Sequence, residues 1–259
     1  MRPVLLPIKL TRQVAGATVE YILAGSGAPA VVLVNGAGGP VEGWFKVFAR
    51  LASSRCTVAW NRPGIDQSSK PAVPQTALEV VESLRELLDA LAVPPPYVLV
   101  GHSLGGLIVN LFARLYPEDV AAVVMLEATA PEDVRVLPRF ENGVQRWLKR
   151  VTRRLLPPHP FDETEQLGAS LAELDAAPPF PAIPLLVVTG ARPALTWATP
   201  QALLDARARH QQALVSLSAL GRQVMALRSG HFPQFSEPEL VCATIEDAVR
   251  EGMARLRQT

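Results

Sequence analysis

Residues 97–106 read Tyr97-Val98-Leu99-Val100-Gly101-His102-Ser103-Leu104-Gly105-Gly106. A β-branched, apolar run leads into a serine flanked by glycines, and Leu104–Leu115 beyond it carries apolar residues at helical spacing. Gly-x-Ser-x-Gly between a buried strand and a helix places the serine on a tight turn, with its hydroxyl above the sheet and at the positive end of the helix. Gly101 and Gly105 suit that turn because side chains at these positions would collide across it. The stretch sets the fold class as α/β and marks Ser103 as a nucleophile.

Outward from this turn, short β-branched runs alternate with longer helical patterns, the signature of a mostly parallel sheet covered on both faces. Eight strands are expected: Lys9–Val14, Thr18–Ala24, Ala30–Val34, Thr57–Asn61, Tyr97–Val100, Ala121–Leu126, Leu185–Thr189 and Gln223–Leu227. The nearly continuous Val/Leu runs among them belong at the centre, buried on both faces. Helical spacing is clearest in Ala77–Leu91, Leu104–Leu115 and Glu237–Leu256.

More than fifty residues between the sixth and seventh strands break the alternation. They hold nine of the 24 prolines, Pro131 through Pro184. This spacing predicts a core of residues 1–130 and 184–259 and a helical cap inserted at 131–183. The strongest helix expected there is Val144–Leu155, with Trp147 on an apolar stripe and five basic residues opposite. It reads as a lid over a pocket, against a plain surface helix or a membrane contact.

With 259 residues, 25 Lys+Arg and 24 Asp+Glu, the formal net charge is +1. No global field recruits nucleic acid or an anionic membrane. The 49% hydrophobic content excludes intrinsic disorder. Cys56 and Cys242 match no metal-ligand spacing and read as buried thiols. The amino terminus lacks the pattern of a signal peptide, so a cytoplasmic protein without stable membrane association is expected. Monomer and homodimer both remain open.

On these motifs the chain resembles the α/β-hydrolase fold superfamily over essentially its whole length. Val34-Asn35-Gly36-Ala37-Gly38-Gly39-Pro40 is similar to the family's oxyanion loop after the third strand, and Asn61-Arg62-Pro63-Gly64-Ile65-Asp66-Gln67-Ser68 to its segment after the fourth. Ser229-Gly230-His231-Phe232-Pro233 resembles its histidine loop. The resemblance implies that His231 is the base for Ser103 and that the N–H groups of Leu104 and Ala37 form an oxyanion hole, with Gly38 as the alternative donor. No metal or cofactor is implied. The acid usual after the seventh strand is absent, since the chain there reads Gly190-Ala191-Arg192-Pro193. Glu127, at the end of the sixth strand, resembles the acid of some haloalkane dehalogenases, with Asp133 and Glu132 in reserve and Asp205 behind them. Asn35 and Asn61 stand where the family commonly has a histidine and an aspartate.

Among the other histidines, His102 is expected to support the turn, while His159 and His210 read as surface residues. Gly36, Gly38, Trp44, Trp147 and Phe232 are expected at the substrate pocket, and Phe45, Phe48, Phe180 and Trp197 are further aromatic candidates. A serine nucleophile implies acyl-enzyme chemistry on a small or medium apolar ester, lactone or thioester. Acyl transfer, carbon–carbon bond hydrolysis and a non-catalytic ligand-binding role are the alternatives.

Overall fold

In the computed structural model, which describes residues 6–140, 160–192 and 201–258, every run read as a strand forms one. The strands are β1 Leu10–Val14, β2 Ala17–Ala24, β3 Ala30–Val34, β4 Thr57–Asn61, β5 Tyr97–His102, β6 Val120–Leu126, β7 Leu185–Gly190 and β8 Gly221–Ala226. They build one sheet in the order β1-β2-β4-β3-β5-β6-β7-β8. β1 and β2 are antiparallel, β2 runs antiparallel to β4, and all pairings from β4 to β8 are parallel. The last strand starts two residues earlier than its pattern suggested and ends before the exposed Leu227.

The helices among the described residues are α1 Phe48–Ala52, α2 Ala77–Ala90, α3 Gly105–Leu115, α4 Pro131–Phe140, α5 Leu167–Ala176, α6 Gln201–Val215, α7 Pro233–Ser236 and α8 Pro238–Leu256. Because side chains alternate along a strand, β3, β5, β6 and β7 feed two cores. Val32, Val34, Leu99, Val123, Met125 and Val187 meet α2 and α3 on one face. Val31, Leu33, Val98, Val100, Val124 and Val188 meet Trp44, Phe48 and α8 on the other.

The expected cap helix Val144–Leu155, with Trp147 and His159, lies outside the described residues, as does Trp197. Around it the insertion is more ordered than its prolines suggested. α5 docks on the core and caps α2: Ser170 Oγ accepts the Ala77 N–H and Glu173 accepts the Leu78 N–H, both at 2.9 Å. These N–H groups have no partner inside their own helix, so side chains of the insertion supply one.

Two thiol and aromatic expectations change. Cys242 is buried, but Cys56 is only half-buried. Trp44 is not a pocket residue: a 3₁₀ turn, Val41–Trp44, swings the ring beneath the sheet, where it is fully buried with Phe48. Phe45 faces outward instead, against Phe235. No helix among the described residues is long and apolar enough to cross a membrane.

Candidate active site

The carboxyl ends of β5, β6, β7 and β8 meet at one edge of the sheet, where open α/β sheets bind ligands. Ser103 follows β5 with a φ of +51°, its N–H donating to the Leu126 carbonyl. The glycines around it are sterically required: a Cβ on Gly101 would lie 2.5 Å from the Gly105 carbonyl oxygen, and one on Gly105 would lie 2.3 Å from that of Val34. The helix therefore starts in contact with the β3 loop, and Ser103 projects from the crest of the turn.

His231, on the loop after β8, places Nε2 3.1 Å from Ser103 Oγ. Behind the ring stands Glu127, just past β6, also at positive φ (+44°) and 5% exposed. Glu127 Oε2 lies 3.6 Å from His231 Nδ1. Its Oε1 accepts the Gly190 N–H at 2.7 Å, so the end of β7 contributes a donor to this carboxylate. Burial pushes the Glu127 carboxyl up, but the adjoining His231 ring, the Arg207 charge and the Gly190 N–H outweigh it and hold the group below the usual carboxylate range.

The reserve carboxylates are engaged elsewhere. Asp133 Oδ2 accepts the Ala130 N–H, and Oδ1 lies 2.7 Å from His210 Nδ1. His210 is thus a partly buried partner of Asp133, not the surface residue its polar helix suggested. Glu132 pairs with Arg135, and Asp205 accepts from Gln201.

The β3 loop packs against the serine so closely that a Cβ on Gly36 would come within 2.9 Å of Ser103 Cβ. Among the described residues, neither the Leu104 nor the Ala37 N–H has a backbone partner. The alternative donor is committed: the Gly38 N–H goes to Glu163 Oε1 at 2.9 Å. Glu163 also takes a two-pronged bond from Arg62, whose other N–H groups reach the Asn35 and Gly36 carbonyls at 2.9 and 2.6 Å. This planar fork matches carboxylate geometry. It clamps the loop between the segment after β4 and the insertion.

Both asparagines brace the loops as side-chain amides. Asn35 donates to the Pro40 carbonyl, and Asn61 accepts the Val41 N–H while donating to Glu20. Glu20 is 2% exposed, which explains the amide at position 61: an aspartate there would face a second buried carboxylate.

His102 does more than support the turn. Its Nε2 lies 2.8 Å from the carbonyl oxygen of His231. A carbonyl only accepts, so Nε2 carries the proton and donates. Burial lowers the His102 pKa to about 4, with the hydrogen bond to His231 opposing it. An unfolded histidine titrates near 6.5, so between pH 6.5 and 4 the unfolded chain binds the extra proton and stability falls with acid. This residue alone is expected to cost about 2 kcal/mol between pH 7 and pH 5. Urea unfolding at both values, on the parent and on His102→Gln, checks this. The variant keeps a donor and loses that part of the slope; an unchanged slope refutes the assignment.

A cavity of about 650 Å³ adjoins this edge, walled by His231 and Glu127 on one side and by Leu203, Leu204 and Met225 on another. Neither Ser103 nor Phe232 is among its described lining residues, so the cavity lies on the Glu127 side of His231. Phe232 is half-exposed, stacked on Phe235 with its ring beside His102. Gly36 abuts Ser103 instead, and Gly38 lines a second cleft with Ala37 and Arg62. Arg207, Glu163 and the Gly190 N–H had no part in the sequence expectations. Only Arg62 carried a signal, as part of the motif after β4.

A family model described as the alpha/beta hydrolase fold matches residues 29–178, more than half of the chain. An uncharacterized protein of Mycobacterium bovis is 32% identical over 55% of this chain and 41% of its own length. The 1-acylglycerol-3-phosphate O-acyltransferase ABHD5 of Sus scrofa is 29% identical over 51% of this chain and 38% of its own. The chain thus spans about four tenths of the length of these curated relatives. The solved structure of the enol-lactonase from Burkholderia xenovorans LB400 superposes with a TM-score of 0.66 at 20% identity, over 93% of this chain and 100% of that one. Sheet order, the Ser103 turn and the family match together make this chain a member of the α/β hydrolase fold family.

Proposed function

We propose that the protein is a serine hydrolase that cleaves a small or medium carboxylic ester, lactone or thioester through an acyl-enzyme. The observation that carries this is the approach of His231 Nε2 to 3.1 Å from Ser103 Oγ, with the Glu127 carboxylate behind the ring. His231 takes the hydroxyl proton as Oγ bonds to the substrate carbonyl carbon. The oxyanion forms beside the Leu104 and Ala37 N–H groups, each such donor being worth roughly 3–4 kcal/mol in related sites. The intermediate collapses, the alcohol leaves with the proton from His231, and water repeats the sequence on the acyl-enzyme.

A fluorophosphonate probe tests this directly, with p-nitrophenyl esters of increasing acyl length as substrates. Labelling and turnover that both vanish in Ser103→Ala are expected; an unlabelled, folded parent protein excludes every acyl-enzyme mechanism and favours a ligand-binding role. The likeness to an acylglycerophosphate acyltransferase supports acyl transfer as a second reading. Ester product exceeding free acid when alcohols are added would select it.

A further inference from the structure

Arg207, on α6, stands against the carboxylate of the proposed triad. Its Nη2 donates to Glu127 Oε2 at 2.7 Å and stands 3.4 Å from His231 Nδ1. Base function requires the Nδ1 hydrogen to point at Glu127 and the Nε2 lone pair at Ser103. The guanidinium is always a donor. Two donors therefore converge on one oxygen, and the arginine holds it at 2.7 Å while the imidazole stays at 3.6 Å. The arginine's charge also opposes formation of the imidazolium that Glu127 is meant to stabilise.

Among the described residues the rest of the guanidinium is uncommitted. Nε and Nη1 of Arg207 have no partner among the described residues, and the side chain is 39% exposed where it lines the 650 Å³ cavity. Arg207 is the one Lys or Arg among the described lining residues. The other lining carboxylate, Asp133, is already occupied by His210. Gln211, fully buried, spends its amide N–H on the Ala128 carbonyl and leaves Oε1 unpartnered on the same wall. That oxygen is an acceptor and repels an anion, so among the described lining residues the cation that an anionic group can meet is Arg207.

We propose that the substrate carries a carboxylate as well as its ester, that with the ester at Ser103 on the Nε2 side of His231 the carboxylate reaches Arg207 in the cavity on the Nδ1 side, and that binding draws the guanidinium off Glu127 and frees Oε2 for His231. Arg207 is then a positioning and specificity residue. It holds the site below full activity until an anionic substrate neutralises it, a differential interaction of the kind that lets a ligand shift an equilibrium. This inference rests on the hydrolase reading, with one arm of the test independent of it.

The independent arm is binding of adipate, a dicarboxylate without an ester, followed by calorimetry. The parent protein is expected to bind it, Arg207→Lys to bind it weakly, and Arg207→Gln not at all. Absence of binding to the parent, or equal binding by Arg207→Gln, overturns the proposal whether or not the protein is a hydrolase. The kinetic arm compares monoethyl adipate with diethyl adipate. The parent is expected to favour the anionic monoester by about 30-fold or more in kcat/KM, and Arg207→Gln to lose about 100-fold on it, as sites built around one polar group do when that group is unmatched. On the neutral diester the same variant is expected to gain kcat by a few fold, because Glu127 is released. An equal loss on both esters marks Arg207 as merely structural and overturns the proposal. Should neither ester be hydrolysed and Ser103 remain unlabelled, the hydrolase reading fails and adipate binding alone decides the role of Arg207.

Discussion

Glu127→Gln is expected to lower kcat on a p-nitrophenyl ester by about 10³–10⁴-fold, as loss of the group that orients and compensates a catalytic histidine does. The amide still accepts from the Gly190 N–H, so the end of β6 keeps its place and circular dichroism should be unchanged. On the proposed mechanism, what disappears is the negative charge beside the His231 ring as it takes up the Ser103 proton. The ionised carboxyl also contributes to folding, since its pKa lies below the ordinary value. That contribution is present above the unfolded pKa and lost as pH falls through the folded one, so the stability deficit of the variant is expected to shrink in acid. A mild effect of Glu127→Gln together with a severe effect of Asp133→Asn would reassign the acid.

Arg62→Met is expected to destabilise the protein by about 3–5 kcal/mol, the range for breaking a buried ion pair by removing one partner. Arg62 is 2% exposed and spans Glu163, the Asn35 carbonyl and the Gly36 carbonyl. Methionine fills much of the volume, leaves the partly buried carboxylate of Glu163 with only the Gly38 N–H, and leaves two carbonyls without their donor. For a chain of this size the loss corresponds to a Tm lower by about 10 °C. The same contacts fix the loop carrying the Ala37 N–H, so kcat is expected to fall by about 10²-fold as well, a displaced oxyanion donor being worth that much. Arg62→Lys should recover the charge without the two-pronged geometry and regain stability only in part. A Tm within 2 °C of the parent, or unchanged kcat in the folded variant, would contradict the role given to this clamp.

The central strands were legible because burial on both faces restricts their composition locally: Ala30–Val34 and Tyr97–Val100 admit little but Val and Leu. Ser103 and His231 were legible through short motifs whose glycines are sterically required. Elements that depend on distant partners were not. Arg207 meets Glu127 across 80 positions and Arg62 meets Glu163 across 101, and no local pattern marks either meeting. Trp44 was misplaced because a loop aromatic gives no direction until the 3₁₀ turn is known, although its spacing to the buried Phe48 and Leu51 already described an inward face. α5 escaped notice although Leu167, Leu171 and Leu174 stand at helical spacing on its core face; its polar part, Ser170 and Glu173 capping another helix, left no local pattern.

Ser103 and Glu127 share a feature whose cost falls outside chemistry. Both occupy left-handed backbone conformations, at φ +51° and +44°, that glycine adopts freely. Each non-glycine residue held there costs of the order of 1 kcal/mol. At Ser103 drift toward higher stability therefore leads toward glycine and the loss of the hydroxyl, whereas at Glu127 the bonds from the Gly190 N–H and Arg207 oppose it. Selection for thermal robustness alone would erode the site from the end of β5, and a stabilised descendant of this chain would keep its sheet long after it had given up its serine.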